Sequence, residues 1–426
     1  MKKHLYSYYF LLGIDILGNT HIIGAGLSGL SASIHSLNKN KVVNLYESSN
    51  VAGGRCRSFY EKKLNIEIDN GNHLVFSANT NFYELCKIVN SIDKIKTLPP
   101  ELAFYDLINN AHWNLDFKEI KMLNLVLGRI SLIPKTKLSD YFSLLKFLFV
   151  GPKKTVLEIV GNSKIFKTFW EPLTLGIMNT ASDLASAKIL SNVLKKTIFK
   201  GPEFCNIYQP TTNWNETIIQ PSLKYLEKKG CNINFKKRLK NIETNNGYAS
   251  KLFFDNEEIN IEKDDLVILA IPPTNLSKFF PNLKLPKEYN CILNVHFKIS
   301  DDIKKKFNKS IIGFINTKSH WIFIKNNYIS VTVSNANHFN DYNSESIAKI
   351  IWDEICCYTN EILPISEFQV VKEKKATIIQ SPDNFKLISQ LNFLPRNLRI
   401  SGDWTQSDLP CTIEGSILSG KKAANN

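Results

Sequence analysis

Arginine is scarce in this chain of 426 residues, and blocks of five or more basic residues are absent. Lysine provides nearly all of the 53 basic residues, although the formal net charge of +14 invites a nucleic-acid interpretation. Because arginine supplies most bidentate contacts to phosphate and guanine, its scarcity argues against a nucleic-acid partner. The lysine excess still favours contact with an anionic membrane surface, where each nearby lysine adds on the order of 1 kcal/mol.

Metal-type cysteine patterns and long apolar runs are also missing. The eight cysteines form no CxxC pair and no Cys/His cluster at zinc spacing, so we expect no bound metal. The same pattern predicts a reduced, cytoplasmic protein, because disulfide frameworks belong to oxidising compartments. No run of about eighteen apolar residues occurs, so no membrane-spanning helix is predicted.

The first residues have some features of a signal peptide. Met1-Lys2-Lys3 precedes an apolar stretch, but Asp15 and three tyrosines interrupt that stretch, and no small-residue cleavage site follows. We interpret residues 1–18 as an amino-terminal extension, with an interfacial anchor as the alternative.

The strongest positive signal is a glycine pattern near the amino end. Gly24, Gly26 and Gly29 follow a short apolar run, and Glu47 ends the next strand-like segment. In a strand–turn–helix unit, these glycines permit a tight turn, close approach of a pyrophosphate, and packing of the helix on the strand. The helix start attracts the phosphates, and the acid accepts hydrogen bonds from a ribose hydroxyl. The pattern therefore predicts a dinucleotide site.

Further α/β segments follow in separate blocks. The glycine-rich turn Gly53-Gly54-Arg55 can present a planar guanidinium to a pyrophosphate. A buried parallel strand is predicted at Asp265–Pro273, and a final strand and helix at residues 398–424. Residues 79–200 are predicted to be mainly helical, and residues 291–334 to form antiparallel strands followed by a helix at residues 344–359. This discontinuous layout argues against a simple nicotinamide dehydrogenase.

One stretch within the helical region is apolar nearly all round. It covers residues 141–150 and is followed by Gly151-Pro152-Lys153-Lys154. The pattern predicts a buried core helix, and a membrane-dipping element flanked by lysines is the alternative.

Three of these blocks together resemble the flavin amine oxidase superfamily, which includes amine oxidases, protoporphyrinogen oxidases and carotenoid desaturases. The blocks are the glycine pattern with its acid, the Gly53-Gly54-Arg55 turn, and the closing Gly402-Asp403 and Ile413-Glu414-Gly415 segments. The resemblance implies FAD as the cofactor. It implies FAD-binding roles for Gly24, Gly26, Gly29, Glu47, Gly54, Arg55, Leu239, Gly402, Asp403, Thr412, Ile413 and Glu414.

The resemblance also implies what the later positions do. The Asp403 carboxylate is expected near the pyrophosphate and ribityl region, and the Leu239 backbone near the adenine. Backbone N–H groups at Thr412–Gly415 are expected to stabilise negative charge on the reduced flavin, because they lie at a helix start.

Finer motifs are similar to those of one branch, the hydroxysqualene dehydroxylases. Asp69-Asn70-Gly71-Asn72-His73 resembles their DNGQH segment, and Trp170-Glu171-Pro172-Leu173 their WEPL block. Lys374-Lys375-Ala376-Thr377 is similar to their KRAT segment, and the closing segments to their GDWT…LPATIEG ending. The resemblance extends over roughly residues 20–424, with departures at Asn72, Lys375 and Cys411.

That branch implies reduction of hydroxysqualene to squalene, with the hydroxyl leaving as water. The reaction needs a hydride from reduced flavin, a proton for the hydroxyl and a dry slot for a polyprenyl chain. The apolar region around Phe166, Phe169 and Trp170 suits the slot. His73 and Glu171 are the candidate catalytic residues. Their structural alternatives are a histidine bonded to backbone and a carboxylate at a helix start.

We therefore expect an α/β fold with a discontinuous, Rossmann-like FAD-binding domain at residues 19–80, 201–275 and 395–426. An inserted α+β domain, facing substrate and membrane, is assigned to residues 81–200 and 276–394. Because hydroxysqualene and squalene reside in membranes, we expect this protein to make peripheral contact with the inner face of the membrane.

No second GxGxxG pattern is present for NAD(P)H, so electrons are expected from a separate donor. The alternative functions are a desaturase of polyprenyl or carotenoid-type chains and an amine oxidase. The sequence also leaves open an RNA-binding flavoprotein and a nicotinamide dehydrogenase.

Overall fold

The computed structural model describes residues 18–37, 39, 41–119, 133–134, 136–161, 163–391 and 394–425. The predicted extension over residues 1–18 therefore lies, except for Gly18, outside the described residues. The strands are β1 (Thr20–Ile23), β2 (Val43–Tyr46), β3 (Ser58–Glu61), β4 (Ile66–Asp69), β5 (Val75–Phe76), β6 (Ile95–Leu98), β7 (Glu101–Asp106), β8 (Ala111–Asp116), β9 (Ile207–Pro210), β10 (Asn232–Asn234), β11 (Leu239–Asn245), β12 (Tyr248–Phe254), β13 (Glu258–Asn260), β14 (Leu266–Leu269), β15 (Tyr289–Lys298), β16 (Ile311–Ile315), β17 (Trp321–Ile324), β18 (Tyr328–Val333), β19 (Phe368–Ile378) and β20 (Leu398–Ile400). The α-helices are α1 (Leu27–Leu37), α2 (Thr80–Ile88), α3 (Ser143–Lys146), α4 (Val156–Val160), α5 (Glu171–Met178), α6 (Ala187–Lys196), α7 (Gln220–Lys228), α8 (Pro273–Phe279), α9 (Asp301–Lys305), α10 (Ser344–Thr359), α11 (Pro382–Ser389) and α12 (Ile413–Asn425).

A five-stranded parallel sheet has the order β10-β2-β1-β14-β20. Strands β1 and β14 lie inside this sheet, and β1 is buried along its whole length, because parallel sheets are covered on both faces. The strands come from three separate stretches of the chain, and all three lie in the ranges assigned to FAD binding. The predicted α/β class with a Rossmann-like unit is confirmed, whereas the two-domain boundaries stay a prediction.

Helix α12 packs against α1 and joins the two ends of the described chain. A Cβ built on Gly420 would lie 2.2 Å from the Ser28 carbonyl oxygen, so glycine is required for this approach. The Ser31 hydroxyl donates a hydrogen bond to the Ile417 carbonyl over 2.7 Å. These contacts place the middle of α12 on the first turns of α1.

A seven-stranded sheet has the order β19-β15-β18-β17-β16-β7-β8. Its pairs are antiparallel except β16 with β7. Helix α10 covers one face, where Phe297 packs against Trp352 with ring centroids 4.8 Å apart. On β15 and β18 the opposite face carries Asn294, His296 and Thr332, so it is partly polar. The antiparallel strands and the helix at residues 344–359 are where the residue pattern predicts them.

The prediction that residues 79–200 are mainly helical is wrong for residues 95–116. Strands β6 to β8 occupy this stretch, and β7 pairs with β16 about two hundred residues later. Pro99-Pro100 and the turn at residues 107–110 cut the stretch into short strands, so alternation is too brief to be distinguished from helical spacing.

The apolar stretch at residues 141–150 forms short helical turns rather than one core helix. Tyr141, Leu144 and Phe147 are buried, whereas Phe142 and Phe149 are exposed. The predicted burial is therefore confirmed for one face of the stretch, whereas the predicted single helix is not found. In the part of the chain that the structure describes, no helix combines the length and apolar character needed to cross a bilayer.

Candidate cofactor and active site

The β1–α1 turn shows why glycine stands at three positions. Gly24 has φ +105°, which side-chain-bearing residues rarely adopt. A Cβ built on Gly29 would lie 1.8 Å from the Gly24 carbonyl oxygen, so the helix packs too closely for any side chain. A Cβ built on Gly26 would meet nothing within 4 Å, so the backbone there borders open space. These are the conditions that a bound pyrophosphate requires.

Glu47 is held directly beside this turn. Its carboxylate accepts hydrogen bonds from the Ala25 and Ser49 backbone N–H groups, each over 2.8 Å. The Glu47 carbonyl accepts a hydrogen bond from the Lys237 N–H over 2.8 Å, which brings the chain before Leu239 to the same edge. Leu239 begins β11 and is buried. The predicted ribose and adenine positions therefore adjoin each other.

The second glycine turn packs on the first. The Gly53 N–H donates to the Ala25 carbonyl over 2.8 Å. Gly54 has φ +55°, and a Cβ built on it would lie 3.3 Å from the Gly26 Cα. The two turns thus share one cleft, in which backbone rather than side chains forms the wall.

Arg55 connects this cleft to the end of the chain. Its guanidinium donates a hydrogen bond to the Asp403 carboxylate over 2.7 Å and another to the Ala376 carbonyl. Burial lowers the pKa of Arg55, but the charge of Asp403, its hydrogen bond and the smaller effects of Cys411 and Glu373 together raise that pKa above its usual range. The preceding Gly402 N–H donates to the Ser419 hydroxyl over 2.9 Å, which fixes this loop on α12.

The start of α12 is tightly wound. The Gly415 N–H donates to the Thr412 hydroxyl over 3.2 Å. A Cβ built on Gly415 would lie 2.9 Å from the Pro410 carbonyl oxygen, so this first turn requires glycine. Ile413 is the first helical residue and is buried.

The Glu414 side chain does not face the cleft and instead caps α2. Its carboxylate accepts hydrogen bonds from the Asn81 N–H over 3.1 Å, the Asn81 amide over 2.7 Å and the Phe82 N–H over 3.0 Å. A carboxylate at a helix start satisfies free N–H groups and complements the helix dipole. Only the backbone of Glu414 is therefore available to a cofactor.

Taken together, these elements fit FAD. The starts of α1 and α12 supply free N–H groups and positive dipole ends. The open space beside Gly26 and the Arg55 guanidinium suit a pyrophosphate. The Asp403 backbone lies beside the start of α12, since its carbonyl oxygen would be 3.7 Å from a Cβ built on Gly415, and its carboxylate holds Arg55.

The turn after β4 is fixed to the polar face of the large sheet. The Asn72 amide donates to the Ser330 hydroxyl over 2.7 Å and to the Thr332 hydroxyl over 2.9 Å. The Asn294 amide donates to the Asn70 carbonyl over 3.2 Å. The sheet therefore positions His73 through its neighbours.

His73 lies between Arg55 and Trp214. Its ring hydrogen-bonds the Arg55 backbone and meets the Trp214 ring edge-on, with centroids 5.9 Å apart. Its Nε2 atom has no partner among the described residues. Burial lowers the pKa of His73 to about 4, so the imidazole is neutral at pH 7.

A buried polar cluster lies behind this turn, and the sequence interpretation missed two of its members. The Asp69 carboxylate accepts a hydrogen bond from the Trp214 N–H over 3.0 Å and lies 3.9 Å from the Lys325 ammonium. His296 is buried, and neither of its nitrogens has a partner among the described residues. Burial lowers the pKa of His296 to about 3. On β15, polar Asn294 and His296 alternate with apolar neighbours, and this pattern could have identified His296 from the sequence.

Glu171 is engaged elsewhere. It begins α5, directly after the π-helical turn Phe166–Trp170, and its carboxylate accepts a hydrogen bond from the Ser182 N–H over 3.1 Å. The Trp170 indole donates to the Ser143 hydroxyl over 3.1 Å. Phe169 and Trp170 are buried in the largest apolar core. The described residues contain no group of three or more His, Cys, Asp or Glu side chains arranged to hold a metal.

Comparisons with known proteins agree with this geometry. Residues 205–426 match the family described as flavin containing amine oxidoreductase, and residues 22–89 match an NAD(P)-binding Rossmann-like domain. The cyclohexylamine oxidase structure from Brevibacterium oxydans aligns with a TM-score of 0.70 at 13% identity, covering 96% of this chain and 98% of that one. That likeness shows a shared fold.

Two relatives match over nearly their whole length. The hydroxysqualene dehydroxylase of Sinorhizobium fredii is 30% identical over 409 residues, covering 96% of this chain and 97% of the relative. The enzyme of the same name from Zymomonas mobilis is 32% identical over 415 residues, covering 95% and 98%. These matches confirm the resemblance, the FAD cofactor and the oxidoreductase class. The chain therefore belongs to the hydroxysqualene dehydroxylase family of FAD-dependent oxidoreductases.

Proposed function

We propose that this protein reduces hydroxysqualene to squalene and releases the hydroxyl as water. The observation that carries this proposal is the similarity to hydroxysqualene dehydroxylases over 95% or more of both chains. The contact between Arg55 and Asp403 supports it, because it joins two distant motifs of the cofactor cleft.

We infer that Gly24, Gly26, Gly29, Gly54 and Arg55 hold the pyrophosphate. Glu47 binds the adenosine ribose, and the Leu239 backbone meets the adenine. Gly402 and Asp403 bind the linker between pyrophosphate and ring, and the Thr412, Ile413 and Glu414 backbone faces the ring. When reduced, bound FAD supplies the hydride that replaces the hydroxyl.

The polyprenyl chain needs a water-free path beside this cleft. The largest apolar core contains Phe104, Phe169 and Trp321, and partly buried Phe166 packs against it. A Cβ built on Gly176 would lie 2.9 Å from the Trp321 indole nitrogen, so α5 lies directly against the sheet face. We infer that substrate runs along this face, because apolar walls keep water from the reacting carbon.

The departing hydroxyl needs one proton. We propose that water supplies this proton and that His73 rather than Glu171 positions the hydroxyl to receive it, because His73 bonds the Arg55 backbone within the cofactor cleft. The Glu171 carboxylate already accepts the Ser182 N–H. Neutral His73 also keeps positive charge away from a developing allylic cation.

Product analysis tests the function directly. Purified protein loaded with FAD, reduced anaerobically and supplied with hydroxysqualene, should yield squalene in mass spectra. The oxidised protein is the control and should yield none. A more unsaturated product from the oxidised protein would instead indicate a desaturase. With prereduced FAD, the His73→Gln variant should lose turnover, whereas the Glu171→Gln variant should keep it.

We further propose a separate electron donor and peripheral contact with the inner face of the membrane. The sequence contains no second GxGxxG pattern, so a nicotinamide site is not evident. Substrate and product are lipids, and the net charge of +14 favours anionic bilayers.

A further inference from the structure

Four large apolar side chains are exposed on adjoining segments between residues 142 and 184. The exposed fraction is 92% for Phe149, 51% for Phe142, 47% for Leu184 and 36% for Leu157. Single exposed apolar residues are ordinary, but a contiguous group marks an interaction site. We refer to these four residues as the Phe149 surface.

Hydrogen bonds hold the segments of this surface together. The Leu157 N–H donates to the Ser182 carbonyl over 2.9 Å, which fixes α4 beside the loop that carries Leu184. The Lys146 ammonium donates to the Ile159 carbonyl over 3.3 Å, which joins the phenylalanine segment to α4. These bonds bring together the segments that carry the four exposed side chains.

The Phe149 surface is also anchored from below. Leu144, Phe147 and Val150 are buried between the exposed residues, and the Ser191 hydroxyl donates to the Phe147 carbonyl. The exposed phenylalanines thus project from a packed layer. Such side chains enter an apolar phase with little further loss of conformational entropy.

Positive charge predominates in the segments that carry this surface. Residues 136–200 contain ten lysines and four acids. Three of those acids are engaged, because Asp140 accepts the Lys137 backbone N–H over 2.8 Å, Glu158 pairs with Lys154 over 2.8 Å and Glu171 accepts the Ser182 N–H. The exposed lysines nearest in sequence are Lys137, Lys146, Lys153, Lys154, Lys164 and Lys167. Exposed apolar side chains suit the acyl chains of a bilayer, and the neighbouring lysines suit its anionic headgroups.

We propose that the Phe149 surface inserts into an anionic lipid bilayer while its lysines contact the headgroups. The proposal rests on the proposed function, since a membrane-dissolved substrate needs a route into the protein. The indole of Trp170 bonds Ser143, next to Phe142, so the surface adjoins the apolar core assigned to substrate. A second protein copy or another protein would not need these neighbouring lysines.

Vesicle sedimentation tests the proposal. FAD-loaded protein is mixed at low salt with vesicles of phosphatidylglycerol and phosphatidylcholine, or of phosphatidylcholine alone. We expect wild type to bind the anionic vesicles, and the Phe142→Ser/Phe149→Ser variant to bind about tenfold or more weakly. Ile362→Ser is the matched control, because Ile362 is 101% exposed and lies outside the surface. This control should bind like wild type.

Three results would overturn the proposal. They are wild type that binds no vesicle, a double variant that binds normally, and an Ile362→Ser variant that is equally impaired. Loss of a wild-type dimer in the double variant, seen by size exclusion, would assign the surface to self-association and also overturn it. Melting temperature and flavin absorbance establish that each variant is folded.

Activity in detergent separates this proposal from the proposed function. With hydroxysqualene dissolved in detergent micelles, the double variant should turn over like wild type. Failure of wild type in that assay counts against the function, whereas the vesicle result stands independently.

Discussion

The Asp69 carboxylate and the Lys325 ammonium face each other across 3.9 Å, beneath the turn that carries His73. Burial lowers the pKa of Lys325, and the charge of Asp69 partly restores it. The pair therefore links the hairpin turn between β17 and β18 to the end of β4.

Removing one member of this pair should destabilise the protein. Lys325→Met leaves the buried Asp69 charge unpaired, which costs about 3–5 kcal/mol in comparable buried pairs. Urea unfolding measures the free energy. Lys305→Met is the control, because the Lys305–Asp302 pair is exposed and should contribute little. A similar effect of both substitutions would contradict the importance of burial.

His296 should make the protein sensitive to acid. Its pKa is lowered to about 3 in the folded state, so the unfolded state binds its proton first as pH falls below about 6.5. Stability is therefore lost between about pH 6.5 and pH 3, with a contribution of about 2 kcal/mol at pH 5. His296→Phe should show a smaller difference between unfolding free energies at pH 7 and pH 5. An unchanged difference would exclude His296 as a cause.

Gly26→Ala and Gly29→Ala should fail in different ways. The new methyl group at residue 26 enters open space, so the protein should fold with a near-normal melting temperature but lose FAD. The methyl group at residue 29 would lie 1.8 Å from the Gly24 carbonyl oxygen, so this variant should unfold at lower temperature. Flavin absorbance and thermal melting distinguish the two. A Gly26→Ala variant that retains FAD would weaken the proposed pyrophosphate position.

Glu414→Gln should separate packing from cofactor binding. The substitution removes a charged cap from α2 and places an amide near the Phe82 N–H, which should cost about 1–3 kcal/mol. The affinity for FAD, measured by flavin fluorescence quenching, should stay within a few fold because the backbone is unchanged. Loss of FAD from folded protein would mean that the carboxylate itself contributes to the site.

Local patterns predicted those parts of the fold that depend on local physics. The glycine spacing at Gly24, Gly26 and Gly29 encodes its turn directly, and the helix at residues 344–359 has its own apolar periodicity and cap. The motif resemblance also identified Arg55 and Asp403, which the structure brings into contact. Their assignment to FAD binding stays a prediction.

Local sequence patterns could not predict the features that depend on tertiary contacts. Strand β7 is stabilised by pairing with β16, which no local pattern in residues 101–106 can show. Lys325 acquires its significance from Asp69, a residue far away in the chain. The capping role of Glu414 depends likewise on α2.

The packing of α12 on α1 through Gly420 sets the order of assembly during synthesis. The glycine turn is made early, but its neighbouring strands β14 and β20 and the helix that covers it are translated late. Strand β1 therefore lacks its neighbour β14, and β14 its neighbour β20, until those later strands have left the ribosome. We therefore expect FAD to bind only after α12 has been made, because Arg55 and Asp403 come from opposite ends of the described chain.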